Sequence, residues 1–224
     1  MENNNIYISE SIDNTNMLPG DPNRLPDESL IFLDEGFIYK LSKHFGEGKP
    51  IKFDRIVFSK NISKKQNLLC KKIFYYNAPP FQSNPSIKEE DIKKEGYDRF
   101  IRKLQEHKEF ILREGRCQRL KVDGKFIFKQ KYIDVLITID LMKIPLDYPK
   151  MKKIILVTSD SDFIPAIKEL SNYGIKVILY TYYEKNRNTN FSRGNDLIKS
   201  VHKYVLLAKQ DFENAPLLRK GERK

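Results

Sequence analysis

The sequence predicts a three-layer α/β domain with a central, mainly parallel β-sheet. From residue 153 to residue 207, three short apolar runs alternate with two helical patterns, which is a βαβαβ order. The apolar runs contain few polar residues, as is typical of strands that are covered on both faces of a parallel sheet. The 224 residues of the chain are enough for one domain of this kind and short for two.

The first strand and the first helix are predicted near the beginning of the domain. The buried-strand pattern of Ser29–Leu33 ends at Asp34, and apolar residues at helical spacing follow from Phe37 to Phe45. Two nearby glycines, at 46 and 48, are expected to end the helix. Residues 55–58 fit either a short strand or a helix, because their periodicity does not decide between the two.

The middle of the chain is predicted to hold a strand, a helix, a hairpin and a second helix. In chain order, the predicted segments are the strand 72–77, the polar surface segment 81–96, the amphipathic helix 97–110, the hairpin strands 110–120 and 125–128, and the helix 132–142. Asp123 and Gly124 form a dipeptide that strongly favours a hairpin turn. Pro145 and Pro149 are expected to end the second helix.

The C-terminal part carries the alternation that indicates the parallel sheet. Its predicted strands and helices are, in chain order, the strand 153–158, the helix 163–173, the strand 175–181, the helix 195–201 and the strand 204–207.

The predicted domain occupies residues 29–210. Residues 1–28 are rich in Asn, Asp, Pro and Ser, which is typical of a flexible polar leader, and residues 211–224 are predicted to form a basic C-terminal tail. No run approaches the ~20 apolar residues of a membrane helix, and the polar N-terminus is unlike an export signal. Two cysteines without metal-ligand spacing suit a reduced cytoplasmic protein, and no membrane partner is expected.

The charge balance favours a polyanionic partner. Lys and Arg number 41 against 30 Asp and Glu, which leaves a formal net charge of +11. Each phosphate that a basic protein neutralises releases counterions, so this excess raises the expectation of nucleic acid binding. A genome rich in lysine codons produces a similar excess, and charge alone therefore does not establish the partner.

Four aspartates are expected to meet at one edge of the sheet. Asp34 follows the first strand, Asp160 and Asp162 follow the strand at 153–158, and Asp134 begins the helix after the hairpin. In open parallel sheets, the functional crevice lies beyond the carboxyl ends of the strands. Like charges ~4 Å apart repel by about 4 kcal/mol at an effective dielectric constant of 20, so such a cluster requires a cation or protons. Carboxylate oxygens suit Mg²⁺ or Mn²⁺, which can activate a water for phosphodiester hydrolysis.

Each of these acids also has a purely structural interpretation. Asp34, Asp134 and Asp162 stand where a side chain could cap a helix or favour its positive end. One helix needs one cap, however, so Asp160 and Asp162 together exceed the requirement. Asp140 lies ~120° from Asp134 around the same helix and is not expected to share its site. The three histidines are distant from these acids in the sequence, which disfavours zinc.

Six segments, taken together, resemble a known family. They are IFLDEGFIY (31–39), YYNAPP (75–80), YDRF (97–100), EGRCQR (114–119), FKQKYIDVLITIDLM (128–142) and ILVTSDSDFIPAIKEL (155–170). Their order and spacing resemble the NYN domain family of PIN-like ribonucleases, in its LabA-type branch. The resemblance runs from about Ile31 to Leu207.

The resemblance implies a PIN-like, Rossmann-like fold with ribonuclease activity. It implies Mg²⁺ or Mn²⁺ as the cofactor, and metal-ligand and catalytic roles for Asp34, Asp134, Asp160 and Asp162. Glu35 and Asp140 are further candidate acids, and Asp140 matches a recurrent family acid whose role is left open. The implied partner is RNA, single-stranded or structured, and a homodimer is left open.

Four positions depart from the family pattern. Glu35 and Tyr132 stand where glycine is usual, Ser159 replaces a common glycine, and His202 stands where the family has an aspartate. None of these departures removes one of the four aspartates, but they put substrate choice and efficiency in question.

The candidate RNA contacts are basic residues, each of which otherwise is a solvated surface charge. They are Lys131, Lys129, Arg119 and Arg193. Lys131 is preferred, because it lies three residues before Asp134 and within a matched segment.

The alternative function is an RNA-binding or regulatory NYN module with weak or no hydrolysis. Other acid-site enzymes fit less well. Asp34-Glu35-Gly36 lacks the Asp-x-Asp pattern of a HAD-type phosphatase, and a toprim nuclease has glutamate where Asp34 stands. A dinucleotide-binding protein is disfavoured because no GxGxxG pattern follows any strand.

Overall fold

The structure is a computed structural model, and it describes residues 26–184, 191–192 and 194–217. The strands in this part of the chain are β1 (Asp27–Asp34), β2 (Leu68–Asn77), β3 (Phe110–Glu114), β4 (Arg116–Val122), β5 (Lys125–Lys131), β6 (Lys153–Val157), β7 (Lys176–Thr181) and β8 (Lys203–Leu206). The helices are α1 (Glu35–Phe45), α2 (Arg55–Lys64), α3 (Lys88–Gln105), α4 (Ile133–Asp147), α5 (Ile164–Asn172), α6 (Asn195–Ser200) and α7 (Lys209–Glu213). A 3-10 turn, Ser161–Phe163, precedes α5.

Six of the strands form one parallel sheet, in the order β3-β2-β1-β6-β7-β8, whereas β4 and β5 form a separate antiparallel hairpin. The chain proceeds outward from β1 to β3 on one side and from β6 to β8 on the other. β1 and β6 therefore lie side by side at the point where the strand order reverses. In sheets of this kind, a ligand crevice opens beyond the carboxyl ends of these two central strands. The predicted α/β fold with a mainly parallel central sheet is confirmed.

Helices cover both faces of the sheet, because the central strands are apolar on both faces. In β1, Ile31 and Leu33 pack in the core that α1, α2, α3 and α7 cover, whereas Leu30 and Phe32 pack in the core under α4, α5 and α6. All four side chains are fully buried. Burying a side chain of this size stabilises the folded state by about 1.5–3 kcal/mol, so the central strands hold the residues at their ends in fixed positions.

The predicted elements of the C-terminal part are confirmed, with ends that differ by one residue at most. The predicted hairpin turn is also confirmed, but the predicted strand 110–120 is divided. Its first part is β3 in the parallel sheet, and only β4 pairs with β5 in the hairpin. Asp123 and Gly124 have φ angles of 48° and 76°, and this pair of positive values is what a two-residue hairpin turn requires.

Residues 55–58, which periodicity left undecided, lie in helix α2. Asp54 starts this helix, because its carboxylate accepts hydrogen bonds from the backbone N–H groups of Ile56 and Val57 at 2.8 and 3.1 Å. Such a cap satisfies two of the donors that a helix start leaves unpaired.

Two predicted helices have wrong limits, at both ends of the first and at the C-terminal end of the second. Helix α3 begins at Lys88 rather than at residue 97. Three acids in its first turn, Glu89 to Asp91, interact favourably with the positive end of the helix. It ends at Gln105, and Phe110 already belongs to β3. Helix α4 continues through Pro145 to Asp147. This proline lies in the last turn, and the buried neighbour Ile144 accepts a hydrogen bond from the N–H of Tyr148 at 2.8 Å, which keeps the turn helical.

The predicted limits of the domain also differ from the structure. β1 already includes Asp27 and Glu28, and α7 contains residues that were assigned to the tail. Phe212 is fully buried and packs edge-on against Phe53 at 4.9 Å, so the core extends beyond residue 210. The first 25 residues of the predicted leader lie outside the described residues. No helix in the described part of the chain is long and apolar enough to cross a membrane.

Candidate active site

Asp34 ends β1 at the centre of the sheet, and both of its carboxylate oxygens have partners. Oδ1 accepts a hydrogen bond from the N–H of Phe37 at 3.2 Å, which caps helix α1. Oδ2 accepts one from the hydroxyl of Thr158 at 2.9 Å. The capping role that the sequence offered for Asp34 is therefore real, but it uses only part of the capacity of this carboxylate.

Thr158 connects the two central strands at their carboxyl ends. Its side chain is fully buried just past β6, where its hydroxyl donates to Asp34 and accepts a hydrogen bond from the N–H of Asp160 at 3.2 Å. This residue orients two of the candidate acids at once. Sequence reasoning missed it, although it stands inside the matched segment ILVTSDSD.

Asp160 and Asp162 lie in the turn that follows Thr158. The carboxylate of Asp160 accepts a hydrogen bond from the N–H of Asp162 at 2.9 Å, so Asp160 and not Asp162 caps the 3-10 turn before α5. Asp162 is exposed and lies in the first turn of the same 3-10 segment. The backbone at Ser159 does not adopt a positive φ, so serine is tolerated where the family usually has glycine.

Asp134 lies in the first turn of α4, and it faces the other acids. Burial raises the pKa of Asp134, and the negative charges of Asp160 and Asp162 raise it further. Burial likewise raises the pKa of Asp34 to about 6, and the charges of Asp134 and Asp160 contribute to the rise. The acids that raise the pKa of Asp34 and of Asp134 are thus their neighbours in this group, which places the four aspartates near one another at the edge that the strand ends predicted.

The acids do not form a closed ligand set. Within the described residues, no group of three or more His, Cys, Asp or Glu side chains has its donor atoms gathered as a metal ion would need. The structure therefore brings the acids into one electrostatic neighbourhood without arranging them as a complete coordination sphere.

Glu35 turns away from this edge. It is buried, and Arg55 donates hydrogen bonds to its two oxygens at 2.5 and 3.4 Å. The charge of Glu35 is already balanced by a guanidinium inside the fold, which disfavours its candidate role as an additional site acid.

Asp140 is likewise a structural acid. It is buried on α4 and accepts two hydrogen bonds from Arg113, at 2.7 and 2.8 Å, and one from the hydroxyl of Tyr76 at 2.8 Å. Burial and the Asp140 charge raise the pKa of Tyr76, so its hydroxyl keeps the proton that it donates. These contacts agree with the angular argument that separated Asp140 from Asp134, and they connect α4 to β2 and β3.

Tyr132 adopts a backbone conformation that explains the family's preference for glycine. Its φ is 74°, in the left-handed region that costs a residue with a Cβ atom some strain. Its ring is exposed, and the guanidinium of Arg116 lies 5.2 Å above it. The extra bulk at this position therefore stands on the surface beside Asp134 and does not fill the core.

The basic candidates lie mainly on the hairpin. Strand pairing sets Lys131 opposite Arg116 and Lys129 opposite Gln118, so both lysines project from the face opposite to that of Arg119. All three side chains are exposed. Arg193, the fourth candidate, lies outside the described residues.

Further polar groups that sequence reasoning did not select line the same edge. Asn77 ends β2, and its Oδ1 accepts a hydrogen bond from Nε2 of Gln130 at 3.1 Å. Asp196 lies in the first turn of α6, next to Gly194 and Leu197, which line a small cleft together with Ser159. The sequence did offer a signal for Asp196. This residue follows the loop after β7, and that loop begins at the same edge of the sheet as the four aspartates.

His202 lies at the opposite edge of the sheet. It directly precedes β8, and its N–H donates to the carbonyl of Val177 at the beginning of β7. The replacement of the family's aspartate by His202 therefore does not alter the acid cluster.

A cavity of about 890 Å³ in the described part of the chain is separate from the acids. It is lined by residues of α1, α2, α3 and the segment before α2, among them Tyr39, Phe53, Arg55, Phe100 and Lys103. None of the four aspartates lines it. Its aromatic and basic lining does not suit a cation, so the candidate site rests on the acids and their position rather than on cavity size.

Asp34→Asn is expected to stabilise the protein at neutral pH when no divalent cation is present. The pKa of Asp34 in the folded state, about 6, exceeds its ordinary value of 3.8. Between these values the folded state binds more protons than the unfolded state, so the wild type loses stability as pH rises through this window. Asparagine keeps the helix cap and removes the charge, which gives a gain of roughly 1–3 kcal/mol at pH 7 and little change at pH 4.

Urea denaturation in EDTA across this pH range measures the effect. Asp147→Asn, at the exposed far end of α4, is the matched control and is expected to show no such pH dependence. If Asp34→Asn is no more stable than the wild type at pH 7, the raised pKa of Asp34 is contradicted.

No curated protein matches this chain. The family model described as the NYN domain matches residues 31–205, which include residues of all six strands of the central sheet, the hairpin and the four aspartates. Since this match covers most of the chain, the protein belongs to the NYN domain family.

Proposed function

We propose that this protein is a metal-dependent ribonuclease that hydrolyses phosphodiester bonds of RNA. Its catalytic and metal-binding residues are Asp34, Asp134, Asp160 and Asp162, and its cofactor is Mg²⁺ or Mn²⁺. The observation that carries the proposal is the position of these acids beyond the carboxyl ends of β1 and β6 in a NYN domain, where the Thr158 hydroxyl contacts both Asp34 and the N–H of Asp160. Asp134 lies near them, since the charges of Asp160 and Asp162 add to the burial that raises its pKa.

The chemistry of the donors fits a hard divalent cation. Mg²⁺ keeps several of its waters and needs only one or two direct carboxylate ligands, together with phosphate oxygens of the substrate. The lack of a closed group of three acids in the described residues is therefore compatible with such a site. Burial is the main cause that raises the pKa of Asp34 to about 6, and the charges of Asp134 and Asp160 add to the rise. A bound cation would offset both effects.

The chain's own residues orient the acids. Thr158 and the N–H of Phe37 hold the carboxylate of Asp34, and the N–H of Asp162 holds that of Asp160, so rotation of both side chains is restricted. A bound cation supplies Lewis-acid activation of the phosphodiester and of a water. Carboxylates held in advance lose little side-chain entropy on binding such an ion.

The substrate class follows from charge and family. The formal net charge of +11 and the basic hairpin favour a phosphate polymer. Membership of the NYN family supports a nuclease. The LabA-type branch is part of the proposal and rests on the resemblance of the six sequence segments alone.

A second function is favoured by one observation. Because the described acids do not form a closed ligand set, the domain could bind RNA without hydrolysing it efficiently. In that case RNA affinity would be present, and cleavage would be absent under all metal conditions.

The two functions are separated by incubating the purified protein with labelled single-stranded, hairpin and duplex RNA in Mg²⁺, Mn²⁺ or EDTA. The ribonuclease proposal expects cleavage in at least one divalent ion and none in EDTA. Binding without cleavage would support the regulatory module, and cleavage that persists in EDTA would exclude the metal-dependent mechanism.

A further inference from the structure

The β4–β5 hairpin presents one face that combines rings and positive charge. Antiparallel pairing sets Arg119 opposite Phe128 and Lys121 opposite Phe126, and side chains opposite each other share a face. Gln130 lies on this face as well, since alternate residues of a strand point the same way. Phe81, from the loop after β2, adds a third ring. We call Phe81, Arg119, Phe126 and Phe128 the hairpin platform.

The members of the hairpin platform contact one another. The guanidinium of Arg119 lies 4.7 Å from the centre of the Phe81 ring and 4.8 Å from that of Phe126. The rings of Phe81 and Phe128 are 5.8 Å apart and tilted by 49°. Although the rings support one another, Phe126 and Phe128 each remain 58% exposed. Two phenylalanines exposed to this degree on a small hairpin are unusual unless a ligand covers them.

The platform leads toward the acids. Gln130 reaches Asn77 at the end of β2, and a Cβ atom placed on Gly36 would lie 3.5 Å from Oε1 of Gln130 and 3.2 Å from Oδ1 of Asp34. The end of the Gln130 side chain is therefore a near neighbour of Asp34. A strand rises ~3.3 Å per residue, which places the Cα atoms of Phe128 and Phe126 about 7 and 13 Å further along the hairpin.

The surrounding charge is that of a nucleic-acid surface. Residues 116–131 contain six Lys and Arg residues and one acid, Asp123, which lies in the turn. The cores of protein–protein interfaces are depleted of lysine, so the four lysines of this segment favour a polyanionic partner over a protein partner. Proteins that bind single strands combine a basic track with aromatic rings on which successive bases stack.

We propose that the hairpin platform stacks unpaired bases of single-stranded RNA and guides the strand to the acid cluster. This inference rests on the proposed function and specifies its substrate class. Paired bases already stack within a duplex and cannot lie on Phe126 and Phe128. The platform therefore selects single-stranded over duplex RNA.

The test measures RNA binding in EDTA, where the proposed cleavage does not occur. Fluorescence anisotropy with a labelled, unstructured RNA of about twelve nucleotides gives Kd for the wild type, Phe126→Ala and Phe128→Ala. Alanine at either position is expected to weaken binding roughly 5- to 100-fold, the usual effect of losing one base–aromatic stack. The affinity for a duplex of equal length is expected to change little.

Three further variants separate stacking from other effects. Phe128→Tyr keeps a ring and is expected to bind as the wild type does, whereas Phe128→Leu keeps an apolar side chain without a ring and is expected to bind as weakly as Phe128→Ala. Tyr173→Ala is the matched control, because this ring is 57% exposed and lies at the end of α5, beyond the opposite edge of the sheet. It is expected to leave Kd unchanged.

The outcomes also separate this inference from the proposed function. If the wild type binds single-stranded RNA, and Phe126→Ala and Phe128→Ala have the same Kd as Tyr173→Ala, the proposed role of the hairpin platform is overturned. The ribonuclease proposal is not affected by that result. If the phenylalanines instead form a contact between proteins, light scattering would show a change of mass in these variants while Kd stays constant, which also overturns the role of the platform. Absence of any RNA binding by the wild type would overturn both.

Discussion

Asp160→Asn is expected to lower divalent-dependent RNA cleavage by two orders of magnitude or more, because charge at a metal-activated phosphodiester site is worth several kcal/mol. Asparagine has nearly the shape of aspartate, and its Oδ1 can still accept the hydrogen bond from the N–H of Asp162. The fold is therefore preserved. The melting temperature in EDTA is expected to stay equal or to rise, because one of the carboxylates that repel Asp34 and Asp134 has lost its charge.

Cleavage rates under single-turnover conditions, with Mg²⁺ and with Mn²⁺, measure this effect. Asp147→Asn makes the same chemical change at the other, exposed end of α4 and is expected to retain the wild-type rate. Undiminished cleavage by Asp160→Asn would remove Asp160 from the site. A collapsed melting temperature would instead show that Asp160 acts mainly as the cap of its turn.

Arg113→Met is expected to destabilise the fold by about 2–4 kcal/mol, because it leaves a buried carboxylate without its guanidinium. Asp140 is only 8% exposed and would keep a single donor, the hydroxyl of Tyr76. The side chain of Arg113 is 34% exposed, so solvent offsets part of the loss. For a domain of this size, the expected drop in melting temperature is about 5–12 °C.

Thermal denaturation measures the drop, and Arg102→Met, on the exposed side of α3, is the control that is expected to remain stable. The cleavage rate per folded molecule at low temperature is expected to stay close to that of the wild type, since Asp140 does not face the other acids. A stable variant that has lost cleavage would show that the pair of Asp140 and Arg113 acts in the site rather than in the fold.

The elements that local patterns predicted are those whose residues interact mainly with their chain neighbours. The apolar runs of β1, β6 and β7 and the Asp123-Gly124 turn were visible in the sequence, because alternation, continuous hydrophobicity and turn chemistry are local properties. Errors occurred where such patterns were weak. Helix α3 starts in a polar stretch, and α7 is a five-residue helix whose Phe212 is held by rings from α2 and the segment before it.

The edge at which Asp34, Asp134, Asp160 and Asp162 meet also followed from the sequence. The carboxyl ends of parallel strands share one edge of a sheet, so residues just beyond the strands needed no further information to be brought together. The orientation of each carboxylate, in contrast, depends on the tertiary structure. Thr158 stands 124 residues from Asp34 in the chain, and the hydrogen bond between them exists because β1 and β6 pair side by side.

The sequence did not show which acids are neutralised inside the fold. Spacing around the helix separated Asp140 from Asp134, but it did not separate Glu35 from its neighbour Asp34, and it identified no partner for Glu35 or Asp140. Their partners, Arg55 and Arg113, lie 20 and 27 residues away, and the pairs form only when α2 and β3 pack into place. Local sequence thus determined the alternation of strands and helices and the position of the four aspartates at the ends of these elements. The pairing of charges depended on contacts between distant segments, because a carboxylate is neutralised by the cation that folding brings beside it.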